Sequence, residues 1–335
     1  MTSTPNTATS TAGSAASLSD DRARWASDAV RTAADAIEVA IQGKRRVIEL
    51  VLATAIAGGH VLLEDVPGTG KTALARALAT ATQGSSSRIQ FTPDLLPGDV
   101  TGISIYDQKQ GVFGFHPGPI FANIVLADEI NRASPKTQSA LLEVMEEHQV
   151  TVDGETHQVG QPFMVIATQN PVEQAGTYRL PEAQLDRFMV KTSIGYPDDA
   201  AMMRILGQAA GHAEVPTVMG LGTLTQLQEF SRSVFVSPLI AQYITALVEA
   251  SRRAREVRLG ASVRGALSLL RMSSAWALVS GRAYVTPDDV RDLATVVLAH
   301  RLVLEPEAEF DGVTAEAVIG QILIDTPIPQ ENGTA

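Results

Sequence analysis

Three short stretches of the chain are apolar at every position: Val61-Leu62-Leu63, Ile124-Val125-Leu126-Ala127 and Phe163-Met164-Val165-Ile166-Ala167. A strand that alternates polar and apolar residues can leave one face in water, but one that is apolar throughout must be covered on both faces. Helical stretches separate the three, so the pattern predicts a parallel sheet between helix layers, an α/β fold. The helix ahead of the first strand carries Val47, Ile48, Val51, Leu52, Ala55 and Ile56 on one face and ends at Gly58-Gly59.

Two insertions break the alternation of strand and helix. Ile103, Ile105, Phe113 and Phe115 alternate around a polar stretch, which reads as a β-hairpin over 102–115. A second hairpin is signalled by Val150-Thr151-Val152, the turn Asp153-Gly154 and a strand ending at Val159. The helix before it opens with Ser134-Pro135, an N-cap followed by proline in the first turn. Past Tyr196-Pro197 the pattern is helical only, and one helix opens at Thr286-Pro287-Asp288-Asp289 with Val290, Leu293 and Val297 on its buried face. The chain is thus expected to divide into a disordered Ser/Thr/Ala-rich tail (1–19), an α/β domain (20–196) and an all-helical domain (197–335).

The chemistry concentrates where strands end. Pro67-Gly68-Thr69-Gly70-Lys71-Thr72 lies between the first strand and a helix. Glycines there let backbone N–H groups face phosphate oxygens, Lys71 adds positive charge at the β- and γ-phosphates, and the Thr72 hydroxyl is a Mg²⁺ ligand. Asp65 stands where the general phosphate-loop pattern has glycine, and its carboxylate is expected to point away from the nucleotide. Asp128-Glu129 follows the second apolar strand; Asp128 is expected to hold Mg²⁺ through its water shell, and Glu129 to act as general base toward the attacking water. Asn170, in Thr168-Gln169-Asn170-Pro171 after the third strand, is placed to bond both the γ-phosphate and that water.

Arg187, in Leu180-Pro181-Glu182-Ala183-Gln184-Leu185-Asp186-Arg187-Phe188, is expected to reach the γ-phosphate of a neighbouring subunit, with Arg132 and Arg179 as rivals. Arg264, at the helix opening Ala261-Ser262-Val263-Arg264, is expected to reach back to the phosphates and couple the helical domain to nucleotide state.

Composition removes several alternatives. A formal net charge of −11 repels phosphate backbones, so nucleic acid is not an expected partner. With no cysteine there is no disulfide, thiolate catalysis or Cys-ligated zinc, and a reducing cytoplasm suits the chain. No apolar run approaches the ~20 residues of a spanning helix, and the N-terminal tail lacks the apolar core of a secretory signal. The histidines at 60, 116, 148, 157, 212 and 300 show no zinc-ligand spacing, and Trp25 and Trp276 read as core. No Gly-x-Ser-x-Gly elbow follows a strand. A nucleic-acid motor and a nucleotide-dependent switch with little turnover remain the alternatives to a remodelling ATPase.

Several segments together resemble a known family. Asp65-Val66-Pro67-Gly68-Thr69-Gly70-Lys71-Thr72, Ala127-Asp128-Glu129-Ile130-Asn131-Arg132-Ala133, the stretch from Asn170 to Tyr178 and the stretch from Leu180 to Phe188 are similar to those of MoxR-type AAA+ ATPases. The resemblance implies a five-stranded core of order 5-1-4-3-2 with helices on both faces, two hairpin inserts and a helical lid. It implies ATP as the nucleotide, where the phosphate loop alone suits ATP and GTP equally, with adenine against Ile41-Gln42-Gly43 and the lid hinge. It further implies a ring, as a hexamer, with Arg187 acting across the subunit interface. The implied role is chaperone-like maturation of client proteins, often ones with a metal-binding von Willebrand factor A domain.

Overall fold

The computed structural model describes residues 18–109, 111–171, 177–207 and 214–329. Two helices, α1 (Asp20–Glu38) and α2 (Arg45–Ile56), precede β1 (Val61–Glu64), α3 (Lys71–Ala81), β2 (Ser86–Gln90) and the short α4 (Pro97–Thr101). A hairpin of β3 (Gly102–Asp107) and β4 (Val112–Pro117) leads to β5 (Ile124–Asp128) and α5 (Pro135–Glu147). A second hairpin, β6 (Gln149–Val152) with β7 (Glu155–Gln158), leads to β8 (Met164–Gln169), α6 (Glu182–Leu185) and β9 (Val190–Thr192). The rest is α7 (Asp199–Gly207), α8 (Leu221–Arg232), α9 (Pro238–Arg253), β10 (Val257–Leu259), α10 (Val263–Val279), α11 (Pro287–Leu298), β11 (Val303–Leu304), α12 (Pro306–Phe310) and α13 (Ala315–Asp325).

Five parallel strands form the sheet in the order β2-β5-β8-β1-β9. Counting only these core strands, that is the expected 5-1-4-3-2. Alternate residues go to opposite faces. Val61, Leu63, Ile124, Leu126 and Ile166 pack with α1, α2 and α3, while Leu62, Val125, Ala127, Val165 and Ala167 meet Leu141, Leu142 and Met145 of α5. On α3 the buried positions include Ala75, Ala77, Ala79 and Ala81, small side chains that let this helix lie close to the strands.

The first apolar core does not stop at Tyr196. It continues from α1 and α2 into α8, α9, α10 and α11. Ser262 caps α10, its hydroxyl accepting from Gly265 N–H at 3.0 Å. At α11, Thr286 and Asp289 form a reciprocal capping box. Of the tail expected over 1–19, only Leu18 and Ser19 fall among the described residues, and both belong to the folded part. Leu18 is buried with its N–H on the Ser233 carbonyl, and Ser19 caps α1. Trp25 is also not core: α1 buries a stripe of Ala23, Ala26, Val30, Ala33 and Ile37, which leaves Trp25 at 44% exposure, edge-on to Phe230. Trp276 is buried, with the Arg46 guanidinium 4.2 Å above its ring.

Both hairpins form. Asp153 and Gly154 take positive φ of 50° and 85°, the left-handed pair that a two-residue hairpin turn requires. The hairpins pack on each other through Phe115 and His157, stacked at 3.8 Å. The outer β3–β4 hairpin leaves Ile103, Ile105, Val112 and Phe113 exposed.

His60, just ahead of β1, ties three elements together. Its Nε2 donates to the Met145 carbonyl of α5 at 3.0 Å, and its Nδ1 accepts from Val165 N–H of β8 at 3.0 Å. Protonation at Nδ1 would set two donors against each other. Burial is the main reason its pKa falls from 6.5 to about 4, opposed by the Met145 bond and assisted by His148. Because the folded pKa lies below the unfolded one, its contribution is complete above pH 6.5 and is lost as pH falls from 6.5 toward 4. We expect up to about 3 kcal/mol of this pH dependence to come from His60. Denaturant unfolding of wild type and His60→Gln between pH 7.5 and 4.5 checks it: the wild-type curve should fall more steeply, and equal slopes would refute the assignment.

Candidate functional site

Parallel strands place all their carboxyl ends on one edge of the sheet, and the loop after β1 sits on that edge. Gly68 and Gly70 have φ of 86° and 95°, a region where a side chain is strained. A Cβ on Gly70 would also come within 3.2 Å of Ile41 Cδ1. Lys71 Nζ donates to the Asp65 carbonyl at 2.9 Å and lies 3.4 Å from that of Val66, so its ammonium is folded over the loop. Asp65 turns the other way. Its carboxylate accepts from Ile194 N–H at 2.5 Å and Gly195 N–H at 3.0 Å, beyond the end of β9. Beside the loop, Ile41 is buried, and Gln42 Oε1 accepts from Arg204 Nε of α7 at 2.8 Å. Residues 41–43 therefore adjoin both the glycine-rich loop and α7.

The acid pair ends β5, every residue of which is buried. Asp128 Oδ1 accepts from the Thr168 hydroxyl at 2.6 Å. Its Oδ2 accepts from Arg88 of β2, from Nη2 at 2.6 Å and Nε at 3.2 Å. Glu129 has φ of 56°, an uncommon value for a non-glycine residue, and this turn brings its side chain out of the strand line. Its N–H donates to Thr168 Oγ1 at 2.9 Å. Its Oε2 accepts from Gln90 Nε2 at 2.8 Å and Arg132 Nη1 at 2.9 Å. Asn170 follows Gln169, which pairs with Glu64 at the carboxyl end of β1, so it shares this edge.

Thr72 and Arg88 line one cleft of about 190 Å³, and Arg88 is bonded to Asp128. Lys71, Thr72, Asp128, Glu129 and Asn170 are thus brought to one edge. Their metal-binding atoms are a hydroxyl and a carboxylate, hard oxygens that fit a Mg²⁺ ion completing its shell with water and phosphate. Among the described residues no group of three or more His, Asp or Glu side chains could hold a metal by itself.

Arg187 and Arg264 lie at the other end of the sheet. Both line a cleft of about 350 Å³ with Gly59, His60, Glu146 and His148, at the amino end of β1. Arg187 Nε is 3.3 Å from Glu146 Oε2, and Arg264 pairs with the same carboxylate. In this structure Arg264 lies away from the phosphate loop of its own chain. The four residues of β1, roughly 13 Å, separate its cleft from the phosphate loop. The physical reason is the neighbouring Asp186, which binds Ser262 and the buried Arg301 and so anchors the start of α10 beside β9. Of the rival arginines, Arg132 is paired with Glu129 and Arg179 is exposed. His212 and residues 172–176 of the family-like stretch lie outside the described residues.

Residues 60–190 match the family described as ATPases associated with various cellular activities (AAA), and residues 249–322 match the AAA lid domain. The chain is 41% identical to the chaperone MoxR1 of Mycobacterium tuberculosis over 87% of its own length and 80% of that protein's. It is 32% identical to the protein MoxR of Paracoccus denitrificans over 80% and 87% of the two chains. A crystal structure of a candidate ATPase from Cytophaga hutchinsonii superposes with a TM-score of 0.87 at 37% identity, covering 93% of this chain and 98% of that one. The chain belongs to the MoxR family of AAA+ ATPases.

Nucleotide binding is what the MoxR family of AAA+ ATPases implies. Sequence reasoning missed Arg88, Gln90 and Thr168, which orient the acid pair, and Glu146, Asp186 and Arg301, which hold the arginine cleft. Arg88 and Gln90 carry a faint signal: polar residues two apart on a strand share a face. Thr168 is the tightest of these supports, being fully buried with its hydroxyl used both as donor and as acceptor. Thr168→Val keeps the shape but leaves Asp128 Oδ1 and Glu129 N–H short of a partner. It should destabilise the core by about 2–3 kcal/mol, read as a lower denaturant midpoint, and an unchanged midpoint would contradict this geometry.

Proposed function

We propose that the chain is a Mg²⁺-dependent ATP hydrolase that works as a ring, hexameric by family resemblance. It uses turnover to remodel partner proteins in the cytoplasm. In this reading the backbone from Pro67 to Thr72 cradles the phosphates, with Gly68, Thr69 and Gly70 giving close approach and Lys71 neutralising the β- and γ-oxygens. Thr72 and Asp128 hold Mg²⁺, Glu129 accepts the proton of the attacking water, and Asn170 orients that water against the γ-phosphate. Adenine lies against Ile41-Gln42-Gly43 and the lid hinge.

The observation that most favours a ring is the separation of the two edges. Arg187 sits at the amino end of the sheet, remote from its own phosphate loop, so a phosphate it stabilises must belong to a neighbour. Arg264 shares its cleft, and we assign it to the same neighbouring nucleotide. Chaperone action is favoured by the name of the Mycobacterium tuberculosis relative and by the exposed Ile103, Ile105, Val112 and Phe113 of the outer hairpin, apolar surface suited to a client. A client with a von Willebrand factor A domain is the class the family resemblance points to. A net charge of −11 weighs against a nucleic-acid motor, and Glu129 beside the phosphate loop weighs against a mere switch.

Two variants test the reading together. Glu129→Gln should bind ATP while losing at least about 100-fold in phosphate release, and Arg187→Ala should bind ATP and be similarly slow. Mixed in equal amounts, they should recover about a quarter of wild-type turnover, because each intact base then finds an intact neighbouring arginine in some of the interfaces. Failure to recover, with both variants assembled and ATP-bound, would place Arg187 outside the interface chemistry. A wild type that binds ATP yet stays monomeric and silent would remove the ring.

A further inference from the structure

The proposed magnesium site already contains a cation of the protein's own. Asp128 offers two carboxylate oxygens. Oδ1 is taken by the Thr168 hydroxyl, whose proton cannot turn elsewhere because the same oxygen accepts from Glu129 N–H. Thr168 is fully buried, so Oδ1 faces protein. Oδ2 is the oxygen left for a ligand, and two guanidinium nitrogens of Arg88 hold it, at 2.6 and 3.2 Å. Arg88 and Thr72 line the same small cleft, so the residue that holds Oδ2 borders the cleft that also carries the Thr72 hydroxyl.

Strand register explains how Arg88 gets there. β2 is the sheet's edge strand, paired with β5 so that Arg88 stands beside Leu126 and Gln90 beside Asp128. Paired residues point to one face, here the face that α3 covers. The Arg88 side chain is 48% exposed while that of Asp128 is 12% exposed. The guanidinium can therefore swing into water at little cost, whereas the carboxylate cannot move from the strand end. Arg88 Nη2 also donates to Gln90 Oε1 at 2.8 Å, and Gln90 Nε2 donates to Glu129. A continuous chain of charge-assisted bonds thus runs from Asp128 through Arg88 and Gln90 to Glu129.

We propose that Arg88 is a displaceable counter-cation of Asp128, occupying the metal-facing oxygen and leaving it when magnesium nucleotide binds. This inference rests on the magnesium site proposed above and concerns how that site is filled. Arg88 already places two N–H donors on Oδ2, so a magnesium-bound water that needs this oxygen must displace at least one of them. Between turnovers the guanidinium keeps the buried Asp128 compensated. Its departure also removes the Gln90 Oε1 bond, which frees the Gln90 amide to reorient and loosens one of the two holds on Glu129. Arg88 is a positioning residue here, acting through Asp128.

The sign of the metal dependence separates this role from a structural one. If Arg88 only propped Asp128 in place, removing it would weaken metal binding; if it competes, removing it strengthens metal binding. The experiment titrates Mg²⁺ against wild type, Arg88→Ala and Arg88→Lys, following the binding of a fluorescent, non-hydrolysable ATP analogue, with circular dichroism to establish that each is folded. Arg88→Ala should lower the Mg²⁺ midpoint about three- to tenfold, the range open to a half-exposed charge pair. Arg88→Lys, which keeps the charge but loses the fork, should fall between alanine and wild type. An unchanged or raised midpoint for Arg88→Ala would overturn the competition while leaving the magnesium site standing. Should the lysine form be folded when the alanine form is not, a lysine midpoint at or above wild type overturns it equally. If the analogue binds wild type with no response to Mg²⁺, the magnesium site itself falls and this inference with it.

Discussion

The parallel direction of five strands is the constraint on which the rest of this structure depends. It sends every strand's carboxyl end to one edge, so the turn after β1, the acid pair after β5 and Asn170 after β8 meet without any long-range loop. The same polarity sends the segment entering β9 to the opposite edge, and Arg187 with it. One chain thereby presents an edge that carries the glycine-rich loop and acid pair and an arginine-bearing edge that its own sheet keeps apart. A closed ring of such chains would set the first edge of each subunit against the second edge of the next, a heterologous contact that closes by rotation.

At the carboxyl edge the problem is to hold two adjacent acids aimed at the end of a buried strand. Asp128 is compensated by Arg88 and bonded by Thr168. Glu129 takes a left-handed backbone and turns out of the strand line toward Gln90 and Arg132. Such a conformation in a non-glycine residue costs about 1–3 kcal/mol and persists only where surrounding bonds enforce it. Here the Glu129 N–H bond to the buried Thr168 hydroxyl does so. Preorganisation of this kind serves catalysis because the orientation is set before the nucleotide arrives rather than during reaction.

Much of the fold was legible in the sequence because its signals are local. An all-apolar strand, an Asp-Gly turn and a Ser-Pro helix start each announce themselves within a few residues, and the phosphate loop and acid pair are read the same way. What the sequence hid are partnerships across distance. Arg88 meets Asp128 from 40 positions away, and Arg301 meets Asp186 from 115. No periodicity reports such contacts. The position of Arg264 was hidden for a related reason: a helix start shows which residue opens the helix, not which end of the sheet it faces. Trp25 failed differently. Its place on a helical apolar face suggested burial, but a helix stripe of alanines packs closely enough to exclude it.

The Asp186–Arg301 pair explains why the arginine edge can be specific without being especially stable. Arg301 is almost wholly buried, and removing an arginine from water is costly enough that an apolar side chain of similar volume could serve stability as well. No apolar side chain could replace its geometry. Arg301 donates to Asp186 Oδ1 and to the carbonyls of Asp186, Phe188 and Met189, which bracket Arg187 in sequence. It also reaches Ser268 of α10, while Ser262 at the start of α10 donates to the same Asp186 carboxylate. The segment bearing Arg187 and the helix bearing Arg264 are therefore fixed to each other through one buried guanidinium. Two arginines on separate elements would ordinarily drift relative to one another. Fastened in this way they present a single charged surface.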